Sequence, residues 1–358
     1  MTHPAVTDIP APLRLRLDGD ALVANWRALD RMSGAAACGA AIKADGYGLG
    51  AEGVATRLAA AGCRDFFVAT WREAAALAHL RLPLAVLHGV REEDMPAALS
   101  GIARPVLNTP GQVARWKEAG GGACDVMIDT GMNRLGLGVG DLYLLGGLEI
   151  DTLMSHLACA DEDSPMNERQ RAAFAGLTGR TTARRMSLAN SAGIDLGCGF
   201  AFDLTRPGIA LYGGVPRPGM AAALRQVAVP EAQVIQRRTV PAGETVGYNR
   251  CWSSAIDAEI AILNVGYADG YNRALSNKGF ARFGALSLPV VGRVSMDLVA
   301  IDVTTADQIR EGDWIALDFA LPHAAAMSGR SQYELLTGMG DRDERIWIDR
   351  ADRIPRDE

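Results

Sequence analysis

The residues that could do chemistry stand where short apolar segments end. Lys43 follows Ala41-Ile42, Arg134 lies just beyond a strand candidate, and His156, Asn190-Ser191 and Arg206 close three further ones. Glycines flank them at Gly46, Gly48, Gly131, Gly136 and Gly208. An amine, two guanidinium groups, an imidazole and a hydroxyl gathered at one mouth suit an anionic ligand that carries a carbonyl. A lysine in such a place can form a Schiff base with that carbonyl and serve as a base once released. A lysine elsewhere is usually a solvated surface charge, and a lone histidine at a strand end is often a hydrogen-bonded core residue.

Positioning these groups requires a repeated scaffold. From Ala40 to about Gly213 the chain alternates short apolar runs with stretches rich in Ala, Leu, Glu and Arg. The runs are Ala41 to Lys43, Phe66 to Ala69, Leu84 to Leu87, Arg104 to Leu107, Cys124 to Ile128, Leu153 to His156, Met186 to Ala189 and Asp203 to Ile209. Helices are predicted between them, for example over Ala51 to Ala61, Trp71 to Leu80 and Asn167 to Leu177. Such alternation implies parallel βαβ units buried on both faces. About eight units predict a TIM-type (β/α)8 barrel with its site at the carboxyl ends of the strands. An open doubly wound sheet is the alternative, but no G-x-G-x-x-G turn follows the first strand.

The texture changes near Arg225. Alternating segments then predict antiparallel strands over Gln233 to Val240, Glu259 to Val265, Val290 to Val294, Leu298 to Val303 and Trp314 to Asp318, with a helix around Ser331 to Thr337. The expected division is therefore a barrel over 1–225, including an N-terminal strand before about residue 20, and a mainly β domain with a charged tail over 226–358.

Length and composition agree with two domains. The chain has 358 residues, 49% of them hydrophobic, and a net charge of −6. That charge offers no electrostatic case for nucleic acid binding. No apolar run is long enough to span a bilayer, and residues 1–12 lack the pattern of a secretory leader, so a cytoplasmic location is expected. The six cysteines are scattered without a C-x-x-C pair, which predicts neither a metal site nor a disulfide framework. Most are expected in or near the core.

The ordered motifs carry a resemblance. Ala41-Ile42-Lys43-Ala44-Asp45-Gly46-Tyr47-Gly48-Leu49-Gly50 resembles the pyridoxal-phosphate lysine signature of the alanine racemase family. Asp129 to Gly136, Ser155 to Ala158, Asn190 to Ala192, Arg206 to Gly213, Val246 to Tyr248, Gly266 to Gly270 and Gly292 to Asp297 are similar to further family blocks in the same order. Together they run from about Leu15 to Thr337.

The resemblance implies interconversion of L-alanine and D-alanine on pyridoxal 5'-phosphate (PLP), supplying D-alanine for peptidoglycan, in a homodimer with shared sites. It implies that Lys43 holds the cofactor and is one catalytic base, and that Tyr248 is the other, reaching the partner subunit's site. A phenol ordinarily keeps its proton at neutral pH, so it needs cationic or hydrogen-bonding neighbours. By resemblance Arg206 faces the pyridine nitrogen, His156 stacks on the ring, and Arg134 lies near the phenolic oxygen and the substrate carboxylate. Tyr47, Asn190, Ser191, Gly208 and Ile209 surround the cofactor, Tyr47, Ser191, Gly208 and Ile209 at its phosphate. Tyr267, Met296 and Asp297 form a wall toward the substrate from the second subunit.

Two positions depart from the family pattern. Family members often carry a carbamylated lysine seven residues before the Arg134 position, where this chain has Met127. Many place a tyrosine on the phosphate near the C-terminus, where the register gives Asp341. A racemase of broader specificity and a non-catalytic PLP-binding regulator stay open as alternatives.

Overall fold

Short parallel strands close on themselves through backbone hydrogen bonds. The computed structural model describes residues 9–349. Strands Ala40–Ala41, Phe66–Val68, Leu84–Val86, Arg104–Leu107, Cys124–Met127, Ile150–Met154 and Arg185–Ser187 pair in chain order, all parallel. Leu204–Thr205 completes the circle. Asp203 N–H donates to the Met186 carbonyl and Arg206 N–H to that of Ala189, while on its other side the strand pairs with Ala37–Cys38. Ala37–Cys38 continues through Gly39 into Ala40–Ala41, so the eight-stranded barrel is closed. A Cβ on Gly39 would lie 2.9 Å from the Asp65 carbonyl oxygen, which is why the chain needs glycine at this join.

The barrel strands are apolar on both faces because both are covered: Phe66, Phe67 and Val68 are all buried. Helix Ala51–Ala61 buries Ala51, Val54, Ala55 and Leu58, one stripe at helical spacing, and ends at Gly62 in the left-handed conformation. Helix Trp71–Leu77 begins with a capping box between Thr70 and Glu73. Among the described residues no helix is long and apolar enough to cross a membrane.

The second unit is an antiparallel sheet, ordered Ala258–Leu263, Val299–Asp302, Leu286–Val291, Phe280–Phe283, Trp314–Leu317 and Ala228–Val240. The last of these also pairs with the first, closing six strands into a barrel. A bulge between Val234 and Gln236 bends the 13-residue strand Ala228–Val240 so that its two halves serve different partners. Val234, Ala261, Leu263, Val290, Ile301 and Ile315 belong to its core.

Two expectations need correction. The N-terminal strand, Leu13–Asp18, does not belong with the (β/α)8 barrel. It pairs antiparallel with Ala228–Val240 and parallel with Glu344–Ile348, and chain segments 9–20 and 226–349 form one compact unit, 21–225 the other. The reason is its alternation: Leu13, Leu15 and Leu17 are buried, while Arg14 and Arg16 both reach Glu231, at 2.6 and 2.7 Å. That is the pattern of a sheet wet on one side. The charged tail, in turn, holds strand Glu344–Ile348, and only residues 350–358 of it lie outside the described residues, as do residues 1–8 of the stretch 1–12 read for a leader. Of the cysteines, Cys38, Cys63 and Cys124 are buried as expected, but Cys198 and Cys251 are exposed on short turns.

Candidate active site

Lys43 leaves the first barrel strand on an unusual turn. Ala44, Asp45, Gly46 and Tyr47 all have positive φ, at 52°, 52°, 62° and 58°. Consecutive left-handed residues cost about 1–2 kcal/mol each when they carry a Cβ. Local bonds offset this: Gly46 N–H donates to the Ile42 carbonyl at 2.8 Å, and Gly50 N–H to that of Asp45 at 2.9 Å. Ala51 N–H donates to Asp45 Oδ1 and Ala44 N–H to Glu73 Oε1, each at 2.8 Å. Glu73 is a residue that sequence reasoning missed, since its capping role was its only signal.

Burial lowers the pKa of the Lys43 amine, and the positive charges of Arg134 and Arg206 lower it further, against an opposing effect of Glu73. A lysine so placed is more readily neutral, and therefore nucleophilic and basic. Arg206 is buried and donates to Ser187 Oγ and to the Ser155 carbonyl, the latter at 2.5 Å. Burial pulls its pKa down to about 10, leaving it a cation at neutral pH and a donor only. His156 is pushed down to about 3, by burial first and then by Arg206, Arg134 and Lys43, so its ring is neutral.

Ser191, Tyr47 and Ile209 meet at Gly208. Ser191 Oγ accepts from the N–H groups of Gly208 at 2.8 Å and Ala210 at 3.3 Å. The Tyr47 ring stacks on Tyr212 at 4.7 Å, and a Cβ on Gly208 would come within 2.1 Å of Tyr47 Oη. Tyr212, fully buried, donates to the Ala41 carbonyl at 2.8 Å. Ile209 opens the short helix Ile209–Tyr212 directly after Gly208. Asn190 has its side-chain oxygen engaged as a cap, accepting from Gly193 N–H at 2.9 Å. Two hydroxyls with backbone donors around a glycine are a donor set suited to a phosphate.

Arg134 is exposed and makes no hydrogen bond or ion pair among the described residues. Its loop turns at Gly131, Asn133 and Gly136, all with positive φ. Met127 is buried beneath, where a Cβ on Gly136 would approach its Cγ to 3.1 Å.

Tyr248, Tyr267, Met296 and Asp297 belong to the antiparallel unit. Tyr248 is 67% exposed on a turn whose Gly247 packs against Arg293. Tyr267 N–H donates to the Ser295 carbonyl, and Ala268 N–H to that of Met296, each at 3.0 Å. Arg342 clamps this wall, reaching Asp269 Oδ1 and Asp297 Oδ1 at 2.8 Å each. A lone arginine in a charged stretch gave no signal of that role.

Comparison with known proteins bears on both units. The family description "Alanine racemase, N-terminal domain" matches residues 17–216, and "Alanine racemase, C-terminal domain" matches residues 227–347. The chain belongs to the alanine racemase family. It is 42% identical to the alanine racemase of Acidiphilium cryptum, over 97% of this chain and 99% of that one. It is 40% identical to the biosynthetic alanine racemase of Agrobacterium fabrum, over 94% of each. A crystal structure of alanine racemase from Bartonella henselae with covalently bound pyridoxal phosphate superposes with a TM-score of 0.86 at 36% identity, covering 95% of this chain and all of that one. The alanine racemase of Streptomyces coelicolor superposes equally well, at 0.86 and 27% identity, over 94% of this chain and 98% of that one. Met127, buried at the end of strand Cys124–Met127, offers Arg134 no charged group. Asp341 is exposed, with its side chain free to face water.

Proposed function

We propose that the chain interconverts L-alanine and D-alanine on pyridoxal 5'-phosphate held by Lys43, with Lys43 and Tyr248 as the two bases. The observation that carries this reading is the Lys43 amine, its pKa lowered, beside two arginines and a neutral histidine in a family whose Bartonella henselae member binds PLP covalently. When bound, the cofactor supplies a conjugated ring that withdraws electrons from Cα and stabilises negative charge there.

The chain's own groups would do the rest. Tyr47, Ser191 and the backbone at Gly208 and Ile209 hold the phosphate, with Asn190 fixing the turn that carries Ser191. Arg206 donates a hydrogen bond without giving up its proton, so a ring nitrogen opposite it stays unprotonated. That limits how strongly the ring draws electrons and disfavours side reactions. His156, neutral because burial and the neighbouring cations lower its pKa, would be placed to face the ring of the cofactor without adding charge. Arg134 attracts the substrate carboxylate. Inversion at Cα needs proton removal on one face and return on the other, and one tethered amine serves one face only. Tyr248 is the candidate for the opposite face, contributed by the partner in a homodimer, with Tyr267, Met296 and Asp297 as wall. Such an enzyme would act in the cytoplasm and supply D-alanine for peptidoglycan.

The test is direct. Purified protein should show a visible absorbance band abolished by borohydride and should convert either enantiomer of alanine into the other. In heavy water, Tyr248→Phe should suppress exchange of the α-proton of L-alanine far more than that of D-alanine. Equal loss from both would contradict the face assignment. Absence of both band and conversion would defeat the whole reading.

A further inference from the structure

One buried amide ties together the segments that carry the site residues. Gln170 lies on helix Pro165–Ala175 and has no solvent exposure. Its Oε1 accepts from Ala158 N–H at 2.8 Å. Its Nε2 donates to the His156 carbonyl at 2.9 Å and to Thr130 Oγ1 at 3.2 Å. Both donor hydrogens of the amide are thus committed. Thr130 Oγ1 lies 2.8 Å from Ser155 Oγ, and the Ser155 carbonyl receives Arg206. Thr130 is also in the turn that leads to Arg134, closed by Gly131 N–H donating to Asp129 Oδ1 at 2.8 Å. One helical turn before Gln170, Met166 presses on the same loop: a Cβ on Gly131 would meet its Cε at 2.5 Å.

This arrangement answers an electrostatic problem. Lys43, Arg134 and Arg206 are like charges around one mouth, and each depresses the basicity of His156. Among the described residues neither arginine has a carboxylate within ion-pair distance, so the Arg134 turn is held through its backbone and Thr130 and not through an ion pair to the guanidinium. We propose that Gln170 is a positioning residue that holds His156 and the Arg134 turn in one fixed relation about Lys43. The inference rests on the racemase reading for its catalytic consequence, but not for its geometry.

Two variants of the holoenzyme separate the possibilities. Gln170→Met keeps the length and removes all three hydrogen bonds. Gln170→Glu keeps the acceptor for Ala158 N–H but sets a carboxylate against the His156 carbonyl. Misplacing reacting groups by about 1 Å costs on the order of a hundredfold in rate. Both variants should therefore lose tenfold to a hundredfold, about, in kcat/KM for alanine, with KM rising as Arg134 loosens. Histidine-labelled NMR supplies the readout that does not depend on turnover: the His156 ring, whose basicity burial, Arg206, Arg134 and Lys43 depress in the parent, should shift its signal and become more basic in Gln170→Met as the ring leaves that position. Where Gln170→Met fails to fold, Thr130→Val removes the Gln170 bond to the Arg134 turn together with the Thr130–Ser155 hydroxyl bond, but leaves the Gln170 bonds to Ala158 and His156, and should raise KM with a smaller change in the His156 signal. Parent-like kinetics and a parent-like His156 signal in a folded Gln170 variant would overturn the proposal. A parent enzyme that does not racemise alanine would defeat the racemase reading alone, since the His156 signal still decides the role of Gln170.

Discussion

The Tyr47 hydroxyl occupies the space in which a side chain at residue 208 would begin: a Cβ on Gly208 would lie 2.1 Å from Tyr47 Oη and 2.8 Å from Cζ. Tyr47 cannot easily retreat, because its ring is stacked on Tyr212, which is fully buried and hydrogen-bonded to the Ala41 carbonyl.

Gly208→Ala should accordingly push Tyr47 off its position. Overpacking of this kind costs about 1–3 kcal/mol. The expected result is PLP binding weakened about tenfold or more in titrations of cofactor-free protein, at that cost. Tyr47→Phe in the same chain should relieve part of the clash while forgoing the hydroxyl. Unchanged affinity in Gly208→Ala would show that Tyr47 is not held where the phosphate binds.

The homodimer reading gives a mixing experiment. Lys43→Ala and Tyr248→Phe subunits should each be nearly inactive alone. After subunit exchange, each hybrid dimer keeps one site with both groups, and activity should return. Demonstrated exchange without recovery would mean that Lys43 and Tyr248 do not act in a site shared between subunits.

Asp125 should leave a mark on stability against pH. It is fully buried in the barrel, and burial pushes its carboxyl up from 3.8 to about 6, with Arg104 the main opposing influence. The folded state therefore binds this proton more tightly than the unfolded chain does. Its contribution favours folding at low pH and is lost as pH rises from about 3.8 through about 6, on the order of 3 kcal/mol. Asp125→Asn keeps an acceptor for Thr152 N–H, which Asp125 binds at 3.0 Å. In urea unfolding, the stability of this variant relative to the parent should rise progressively between pH 4 and pH 7, because only the parent loses the Asp125 contribution. A constant difference over that range would show that Asp125 does not titrate there.

Much of the barrel was legible because its strands are apolar on both faces and recur at regular intervals. Arg104–Leu107 and helix Ala51–Ala61 fall where patterning placed them. The lysine, the arginines and the histidine were legible because charged or polar residues at the ends of apolar runs are conspicuous. Glu73, Gln170 and Arg342 were not, because each acts through contacts with residues far away in sequence, and no local pattern distinguishes a glutamine that braces a loop from one on a helix surface. The left-handed turn after Lys43 was hidden for another reason: Ala44 and Asp45 have no preference for that conformation, which is imposed by Glu73 and by Asp45's own carboxylate. Strand Leu13–Asp18 had the right periodicity, but nearness in sequence suggested the wrong sheet.

That strand also constrains how the protein comes off the ribosome. Leu13 pairs with Ala232, about two hundred residues later, and the strand's other neighbour, Glu344–Ile348, lies about a hundred residues later still. The segments between form the whole parallel barrel, which can complete its hydrogen bonding while the N-terminal strand still has no partner. At translation rates of about 5–20 residues per second, the alternating Leu13–Leu17 edge waits on the order of tens of seconds. Arg14 and Arg16, which alternate with Leu13, Leu15 and Leu17, put charge on that edge, and charge on an unpaired edge disfavours pairing with other chains.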